Sequence, residues 1–364
     1  MASRLAPDLD APPEADRFEN APHPRETATF FGHAEAEAEI LRDCASRRLP
    51  QALLIGGPAG VGKATLAWRL ARFLLANSDP SAAALGASDL HVAQDHPAAR
   101  QIDALSHPDL FLLRREWSEK TNKHFTEIRV EDVRRAVHMF QQAAGRGGYR
   151  VCIVDSAEDL NASGANALLK LIEEPPPRSV FVIVAHRPGR VLATIRSRCR
   201  KIILKELSAE AIAKIAATLG APWSGVSQPQ LNAALERSHN SLHGVLRLLN
   251  GRGLEFDDAL RRMLDDLPRI DWRSVHALAE QVAPRERANE YDMLLGSVYD
   301  WLEAKVNAGA LGGWGDRRRL APYAEVWERV TDATQQTDAL NLDKRPFVLA
   351  LFADLAAAAR ASAP

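Results

Sequence analysis

The sequence predicts an α/β domain, with a parallel sheet that carries helices on both faces, followed by smaller helical domains. Residues 151–154 and 180–185 are short apolar runs with the length and continuity of strands buried on both faces. Between them, Ala165, Leu168 and Ile172 recur at helical spacing until Pro175 stops the helix. Beyond residue 205 the apolar residues recur at helical spacing, which predicts the helical domains.

Composition limits the functions open to this chain of 364 residues, whose length suggests two or three domains. The formal net charge of −1 gives no overall positive field of the kind a dedicated nucleic-acid binder carries. Three cysteines, Cys44, Cys152 and Cys199, are far apart and form no CxxC pair, which argues against disulfides and indicates a reducing compartment. No apolar run approaches the ~20 residues of a membrane span, and the N-terminus lacks a signal-peptide core. We therefore expect a cytoplasmic protein.

The N-terminal residues 1–22 are rich in alanine, proline and acidic residues and offer little to bury. This composition predicts a disordered tail. The folded part is expected to begin at residue 23, and a helix with Ile40 and Leu41 in its apolar stripe follows Phe30.

A phosphate-binding loop is predicted directly after the first strand, Ala52 to Ile55. Glycines let backbone N–H groups converge on phosphate oxygens, and the helix that follows adds positive potential at its N-terminus. In this loop Lys63 would lie on the β- and γ-phosphates, but Ala64 replaces the hydroxyl residue that holds Mg²⁺, and Thr65 is one position late, about 100° around the helix. ATP or ADP binding thus stays open, and hydrolysis is not expected. The candidate nucleotide-binding residues are Gly57, Gly60, Gly62, Lys63, Thr65 and Asp155, the carboxylate at the end of the 151–154 strand.

Between these motifs lies a strand over residues 110–113 and then a helix with Val133, Val137 and Phe140 in its apolar stripe. Four basic residues accompany that helix, and they either form a DNA-facing edge or, as the sequence favours, a solvated helix face. They are Arg134, Arg135, Arg146 and Arg150.

Two motifs make the resemblance to a known family specific: NALLKLIEEPP at residues 166–176 and SRC at residues 197–199. They resemble the clamp-loader branch of the AAA+ ATPases, and the surrounding sequence is most similar to the delta-prime subunits of bacterial DNA polymerase III. The resemblance spans about residues 24–360. It implies an AAA+ P-loop domain over residues 23–205, a helical lid over 206–250 and an oligomerisation collar over 251–364.

The same resemblance implies an ATPase that has lost its own chemistry. Asp155 matches the Mg²⁺-coordinating acid, but Ser156 stands where a catalytic glutamate is expected and cannot act as a base without a partner that activates it. Ala185 and His186 replace the polar sensor of the second strand, and His243 replaces the arginine of the second sensor. Family members often carry a four-cysteine zinc module near residues 77–106; this interval has no cysteine, so no zinc is expected, and His91, His96 and His107 are predicted to lie at the surface.

Arg198 is the candidate catalytic residue, and it would act on a neighbouring subunit. In families with this motif the SRC arginine, here flanked by Ser197 and Cys199, is presented to ATP held by the adjacent protomer. A planar guanidinium suits the charge that develops on γ-phosphate oxygens. The alternative is an ordinary basic surface patch, since residues 178–201 hold seven basic residues and no acidic one.

The expected function is that of a largely non-catalytic clamp-loader subunit within a hetero-oligomer. The implied partners are gamma/tau ATPase and delta subunits and, through the complex, the sliding clamp and primed DNA. Two alternatives stay open. One is an active gamma/tau-like ATPase, which would depend on Lys63, and the other is a DNA-binding module that uses residues 178–201.

Overall fold

A computed structural model describes the chain in nine stretches and divides it into two compact units. The units are Met1–Gly225 with Leu235–Gly244, and Val226–Ala234 with Val245–Pro364. The described residues are 13–18, 21–27, 29–121, 123–141, 148–238, 241–284, 287–311, 317–340 and 342–362.

A five-stranded parallel sheet lies at the centre of the first unit, in the order β2-β5-β6-β1-β7. Its register sets Leu54 of β1 opposite Ile183 of β6, and Ile153 of β5 opposite Val182 of β6. All strands run the same way, so the residues that follow β1, β2 and β5 meet at one edge of the sheet. The strands are β1 Ala52–Gly56, β2 Leu110–Leu113, β5 Arg150–Asp155, β6 Ser179–Ala185 and β7 Arg200–Ile203, and the short antiparallel pair β3 Trp117–Ser118 and β4 Lys123–His124 lies apart.

Helices cover both faces of this sheet. Alternate strand residues enter two separate apolar clusters: Leu53 packs in one with Leu66, and Leu54 packs in the other with Leu168. This arrangement confirms the predicted α/β class and explains why β5 and β6 are apolar throughout rather than alternating. The helices that lie wholly in this unit are α1 Ala34–Ala45, α2 Lys63–Ala76, α3 Pro80–Leu85, α4 Pro97–Asp103, α5 Val130–Gln141, α6 Ala162–Glu173, α7 Ala193–Arg196 and α8 Ala209–Leu219.

Helices α3 and α4 fall in the interval 77–106, where no element is predicted from hydrophobic spacing. Each begins at a proline that follows a capping side chain: Asp79 accepts from the N–H groups of Ser81 and Ala82, and His96 accepts from Ala98. The residue pairs Asp-Pro and His-Pro are the local pattern that marks these starts. His96 therefore has a structural role, and within the described residues no group of three or more His, Cys, Asp or Glu side chains is placed to hold a metal.

The predicted tail over residues 1–22 needs correction in its described part, because Glu14 and Asp16 form ion pairs within the first unit. Glu14 pairs with Arg25 at 2.6 Å and with Arg114 at 2.9 Å, and Asp16 pairs with Arg114 at 2.5 Å. Ion pairs hold the acidic part of this stretch, and Phe18 packs against the His243 ring. Residues 1–12, 19 and 20 of the predicted tail lie outside the described residues.

The second unit is helical. In it α13 packs against α11, α12 and α14, and α15 packs against α12 and α14. Its helices are α11 Gly253–Asp265, α12 Trp272–Val282, α13 Ala288–Leu311, α14 Arg317–Leu340 and α15 Lys344–Ala361, and the boundary between the units passes through α9 Gln228–Arg237 and α10 Leu242–Leu249. The lid and collar limits at residues 205 and 250 stay predictions. None of the helices in the described stretches has the length and apolar character needed to cross a membrane.

Candidate functional site

The loop predicted to bind phosphate, here called the phosphate loop, runs from Gly57 to Lys63 and connects β1 to α2. Only glycines adopt its conformation without strain. Gly57, Gly60 and Gly62 have φ angles of 145°, 75° and 97°. A Cβ on Gly57 would lie 2.3 Å from the carbonyl oxygen of Leu204, so the chain also needs a bare α-carbon there. The sequence prediction of a glycine loop between a strand and a helix is confirmed at this point.

Lys63, the first residue of α2, is withdrawn from solvent. It is 3% exposed, and its Nζ donates a hydrogen bond to the carbonyl oxygen of Pro58 in the same loop. Burial lowers the pKa of Lys63 to about 8, against the opposing effect of Asp155 and Glu158. A phosphate that binds here must therefore take this cation from a backbone carbonyl.

Asp155 ends β5 and is buried. Burial and, after it, the charge of Asp16 together raise its pKa to about 7, although the charge of Lys63 opposes the shift. The structure thus brings Lys63 and Asp155 into electrostatic range of each other, as the parallel topology predicts. Asp16 acts on the same carboxyl group, and nothing in its local sequence indicates this.

Ser156 and His186, the residues expected to replace catalytic groups of the family, lie around this pair. Ser156 directly follows Asp155 and is buried, and burial lowers the pKa of His186, so the neutral imidazole is favoured. Thr65 lies in the first turn of α2, one position beyond Ala64. Among the described residues that surround Lys63, the carboxylates that act on its pKa are Asp155 and Glu158.

Glu158 has a position that its sequence context did not indicate. The Glu158 carboxylate accepts a hydrogen bond from the backbone N–H of Arg187. It therefore connects the segments that follow β5 and β6, where Ser156 and His186 lie. Local sequence gives no indication of this contact, since residues 158 and 187 are 29 positions apart. They meet only because β5 and β6 are parallel neighbours in the sheet.

The 241–243 segment covers the outer side of the phosphate loop. Ser241 Oγ donates to the carbonyl oxygen of Ala59 at 2.9 Å, and a Cβ on Gly60 would lie 2.6 Å from the backbone nitrogen of His243. The His243 ring packs edge-on against Phe18, with the centroids 4.8 Å apart. His243 is therefore packed between Phe18 and the phosphate loop.

Arg198 lies at the exposed surface, in the turn between α7 and β7, whereas Lys63 is buried. Its side chain is 43% exposed, and Nη2 pairs with Glu173 Oε1 at 2.8 Å. Nη1 donates to the carbonyl oxygen of Thr194 at 3.1 Å and to Ser197 Oγ at 3.4 Å. The guanidinium is thus oriented by the turn and by the end of α6 while it stays accessible.

The two residues that flank Arg198 differ in environment. Ser197 is exposed, and its hydroxyl donates to the Thr194 carbonyl at 3.1 Å. Cys199 is buried, and burial raises the pKa of its thiol to about 11, so it stays protonated and packs as an apolar residue. The serine and the cysteine therefore shape the turn, and the arginine is the member of the motif available for chemistry.

Several other basic residues, in the 178–201 segment, in α5 and in β5, form bonds within the first unit. Arg200 pairs with Glu39 at 2.5 Å and Asp43 at 3.1 Å, and Arg196 donates to the carbonyls of Pro188 and Gly189. Arg135 pairs with Glu116 and Asp132, and Arg150 donates to the carbonyl of Phe140. Arg146 lies outside the described residues. These bonds favour the solvated and internally paired interpretation over a DNA-facing edge.

The chain is similar to known subunits of DNA polymerase III. Residues 32–208 match a family model described as DNA polymerase III, delta subunit. The delta-prime subunit of Pseudomonas aeruginosa is 40% identical over 148 residues, which is 41% of this chain and 41% of that protein. The delta-prime subunit of Escherichia coli is 33% identical over 236 residues, 64% of this chain and 65% of that protein.

This chain is similar to the delta-prime subunits of DNA polymerase III. It spans between two fifths and just under two thirds of the length of the two delta-prime proteins it matches. The gamma/tau subunit of Mycobacterium tuberculosis is also similar, at 31% identity over 180 residues, 48% of this chain and 28% of that protein. The family model covers the phosphate loop, Asp155 and the SRC turn, so Ala64, Ser156 and His186 lie inside the matched segment and His243 lies outside it.

Proposed function

We propose that this chain is a delta-prime-type subunit of a DNA polymerase III clamp loader, and that it presents Arg198 to ATP bound by a neighbouring gamma/tau-type subunit. It joins a hetero-oligomer with delta-type and gamma/tau-type subunits that loads a sliding clamp onto primed DNA. Its own ATP hydrolysis is absent or slight.

One contrast carries this proposal: Lys63 is buried and bonded to its own loop, whereas Arg198 is exposed and anchored. An arginine supplied in trans stabilises the charge on the transferred phosphoryl group, which raises kcat roughly 10³–10⁵-fold. The sites that would serve the chain's own chemistry lack the matching groups, namely the hydroxyl at Ala64 and the base at Ser156.

Reconstitution of the loader with an Arg198→Ala subunit tests the proposal. We expect assembly to be unchanged and ATP hydrolysis stimulated by clamp and primed DNA to be strongly reduced. Arg135→Ala is the matched control, since it also removes an exposed arginine that pairs with a carboxylate of the same unit. An unchanged hydrolysis rate in the Arg198→Ala complex excludes the role in trans.

The similarity to gamma/tau subunits favours one alternative, an active ATPase. The purified chain would then hydrolyse Mg·ATP, and Lys63→Ala would abolish that activity. We expect no hydrolysis above background for the wild-type chain, because Ala64 supplies no hydroxyl ligand to Mg²⁺ and Ser156 supplies no base.

A further inference from the structure

We propose that residues 14–18, here called the N-terminal cover, close this chain's own phosphate loop, and that a nucleotide must displace them in order to bind. The ligand class is a nucleoside di- or triphosphate. This inference is independent of the role proposed for Arg198.

The cover is tied to the carboxyl edge of the sheet at its acidic end. Arg114 directly follows β2, the strand that pairs with β5. It holds Asp16 at 2.5 Å through Nη1 and Glu14 at 2.9 Å through Nη2. A single arginine at the end of a core strand therefore fixes two residues of the cover.

Further bonds hold the same two carboxylates. Asp16 Oδ2 lies 3.0 Å from Nε2 of His23, and Glu14 accepts from Arg25 at 2.6 Å. Burial alone would raise the pKa of Glu14, but its bonds with Arg25 and Arg114 outweigh burial and lower the pKa to about 2. Bonds to these cations thus keep the Glu14 carboxylate ionised. With Glu14 and Asp16 against Arg17, residues 14–18 carry a formal net charge of −1.

At its other end the cover lies on the segment that contacts the phosphate loop. The Phe18 ring packs edge-on against His243 at 4.8 Å between centroids and lies 6.3 Å from the Trp223 ring. His243 in turn is packed against Gly60, and Ser241 is bonded to Ala59. Residues 14–18 therefore run from the end of β2 to the residues that cover the loop.

Electrostatics oppose a phosphate while the cover is in place. The charge of Asp16 reaches Asp155 strongly enough to raise the pKa of that buried carboxyl group. A nucleotide on the loop would bring its own negative charge near Asp16, in a poorly solvated environment where like charges repel strongly, and it would further disfavour ionisation of Asp155. Displacement of the cover removes Asp16 from that position and exposes the His243 segment.

ADP binding by the full-length purified chain tests the inference. Phe18→Ala weakens the aromatic end of the cover, and Asp16→Asn removes the charge that acts on Asp155. If the closed state holds most of the population, shifting it toward the open state tightens the apparent affinity for ADP by roughly tenfold in either variant. Glu210→Gln is the matched control: it neutralises an exposed carboxylate that pairs with Lys214, and we expect the wild-type affinity.

Two further measurements separate this mechanism from a general loosening of the fold. Adding Lys63→Ala to Phe18→Ala is expected to remove the gain, since the gained binding uses the phosphate loop. Hydrogen exchange of residues 13–18 in the wild-type chain is expected to rise when ADP is bound at saturating concentration. Equal ADP affinity of the wild type and both cover variants, including no binding by any of them, overturns the inference, as does unchanged exchange of residues 13–18 with ADP bound.

Discussion

Lys63 and Arg198 are the two cations of the first unit that the sequence assigns to phosphate chemistry, and the structure holds them in opposite ways. Lys63 is 3% exposed, and its ammonium group is bonded to the Pro58 carbonyl. Arg198 is 43% exposed, and carbonyl, hydroxyl and carboxylate groups orient its guanidinium at the surface.

The difference follows from the chemistry of the two side chains. A buried ammonium group loses hydration, so its charged form is disfavoured unless a ligand or a carbonyl replaces the water. A guanidinium stays charged and has five N–H donors, so neighbours can orient part of it while it remains available to a further anion. A pocket that has lost its catalytic partners can therefore become a packed region, whereas a surface arginine can keep its function in a neighbour's site.

The largest expected effect concerns the packing of the phosphate loop. Gly57→Ala forces a Cβ to 2.3 Å from the Leu204 carbonyl oxygen at a φ of 145°. We expect a loss of about 3 kcal/mol in the free energy of unfolding, measured by urea denaturation. Gly189→Ala is the control, since a Cβ there meets no atom within 4 Å. Equal unfolding midpoints for the two variants would show that the loop is not packed as described.

Asp155 gives the next largest effect, and it depends on pH. Its folded pKa of about 7 lies above the ordinary value of 3.8, so the carboxyl group contributes stability below about pH 4 that is lost as the pH rises to 7. Asp155→Asn removes this dependence. We expect the stability of the variant relative to wild type to increase by about 2 kcal/mol between pH 5 and pH 8.

Urea unfolding at several pH values measures this difference. Asp95→Asn, the same change at an exposed carboxylate, should show little change over that range. A relative stability of Asp155→Asn that falls with rising pH would mean that the carboxylate is stabilised in the fold, which contradicts a pocket adapted to burial.

Sequence patterns were sufficient for the sheet and the phosphate loop because both depend on local rules. A continuous apolar run predicts β5 and β6, and a glycine loop between a strand and a helix predicts the position of Lys63. Parallel topology then places Asp155 near Lys63 without further information. Helices α3 and α4 escaped this approach because they are short and are defined by caps rather than by apolar spacing.

The contacts that set the state of the site are non-local, and composition does not reveal them. Glu14 and Arg114 are 100 positions apart, and an acidic, proline-rich stretch predicts disorder when its cationic partners are unknown. Likewise, the turn of Lys63 toward Pro58 depends on burial by the surrounding fold. The SRC motif identifies Arg198, but the structure is needed to show that Glu173, at the end of α6, orients it.

Glu173 is the basis of a smaller predicted effect. Glu173→Gln keeps the size of the side chain and removes the charge that pairs with Arg198. If Glu173 positions the guanidinium, we expect about a threefold lower kcat for ATP in the reconstituted loader and an unchanged KM, since an exposed pair contributes well under a few kcal/mol. A double variant with Arg198→Ala should be no slower than Arg198→Ala alone. Wild-type kcat for Glu173→Gln would show that Thr194 and Ser197 suffice to orient the arginine.

The smallest expected effect is that of Arg198→Ala on the stability of the isolated chain, and it separates presentation from structure. The Arg198–Glu173 pair is 43% and 40% exposed, so solvent screens it, and we expect a change below about 0.5 kcal/mol in the free energy of unfolding.

Arg69 and Glu37 form a pair of nearly the same length, 2.7 Å, that is only 6% and 7% exposed. Arg69→Ala leaves a buried carboxylate unpaired and should cost about 3 kcal/mol in the same urea assay. If Arg198→Ala cost as much as Arg69→Ala, Arg198 would be a structural residue of the first unit. Its exposure would then no longer support a role in a neighbour's ATP site.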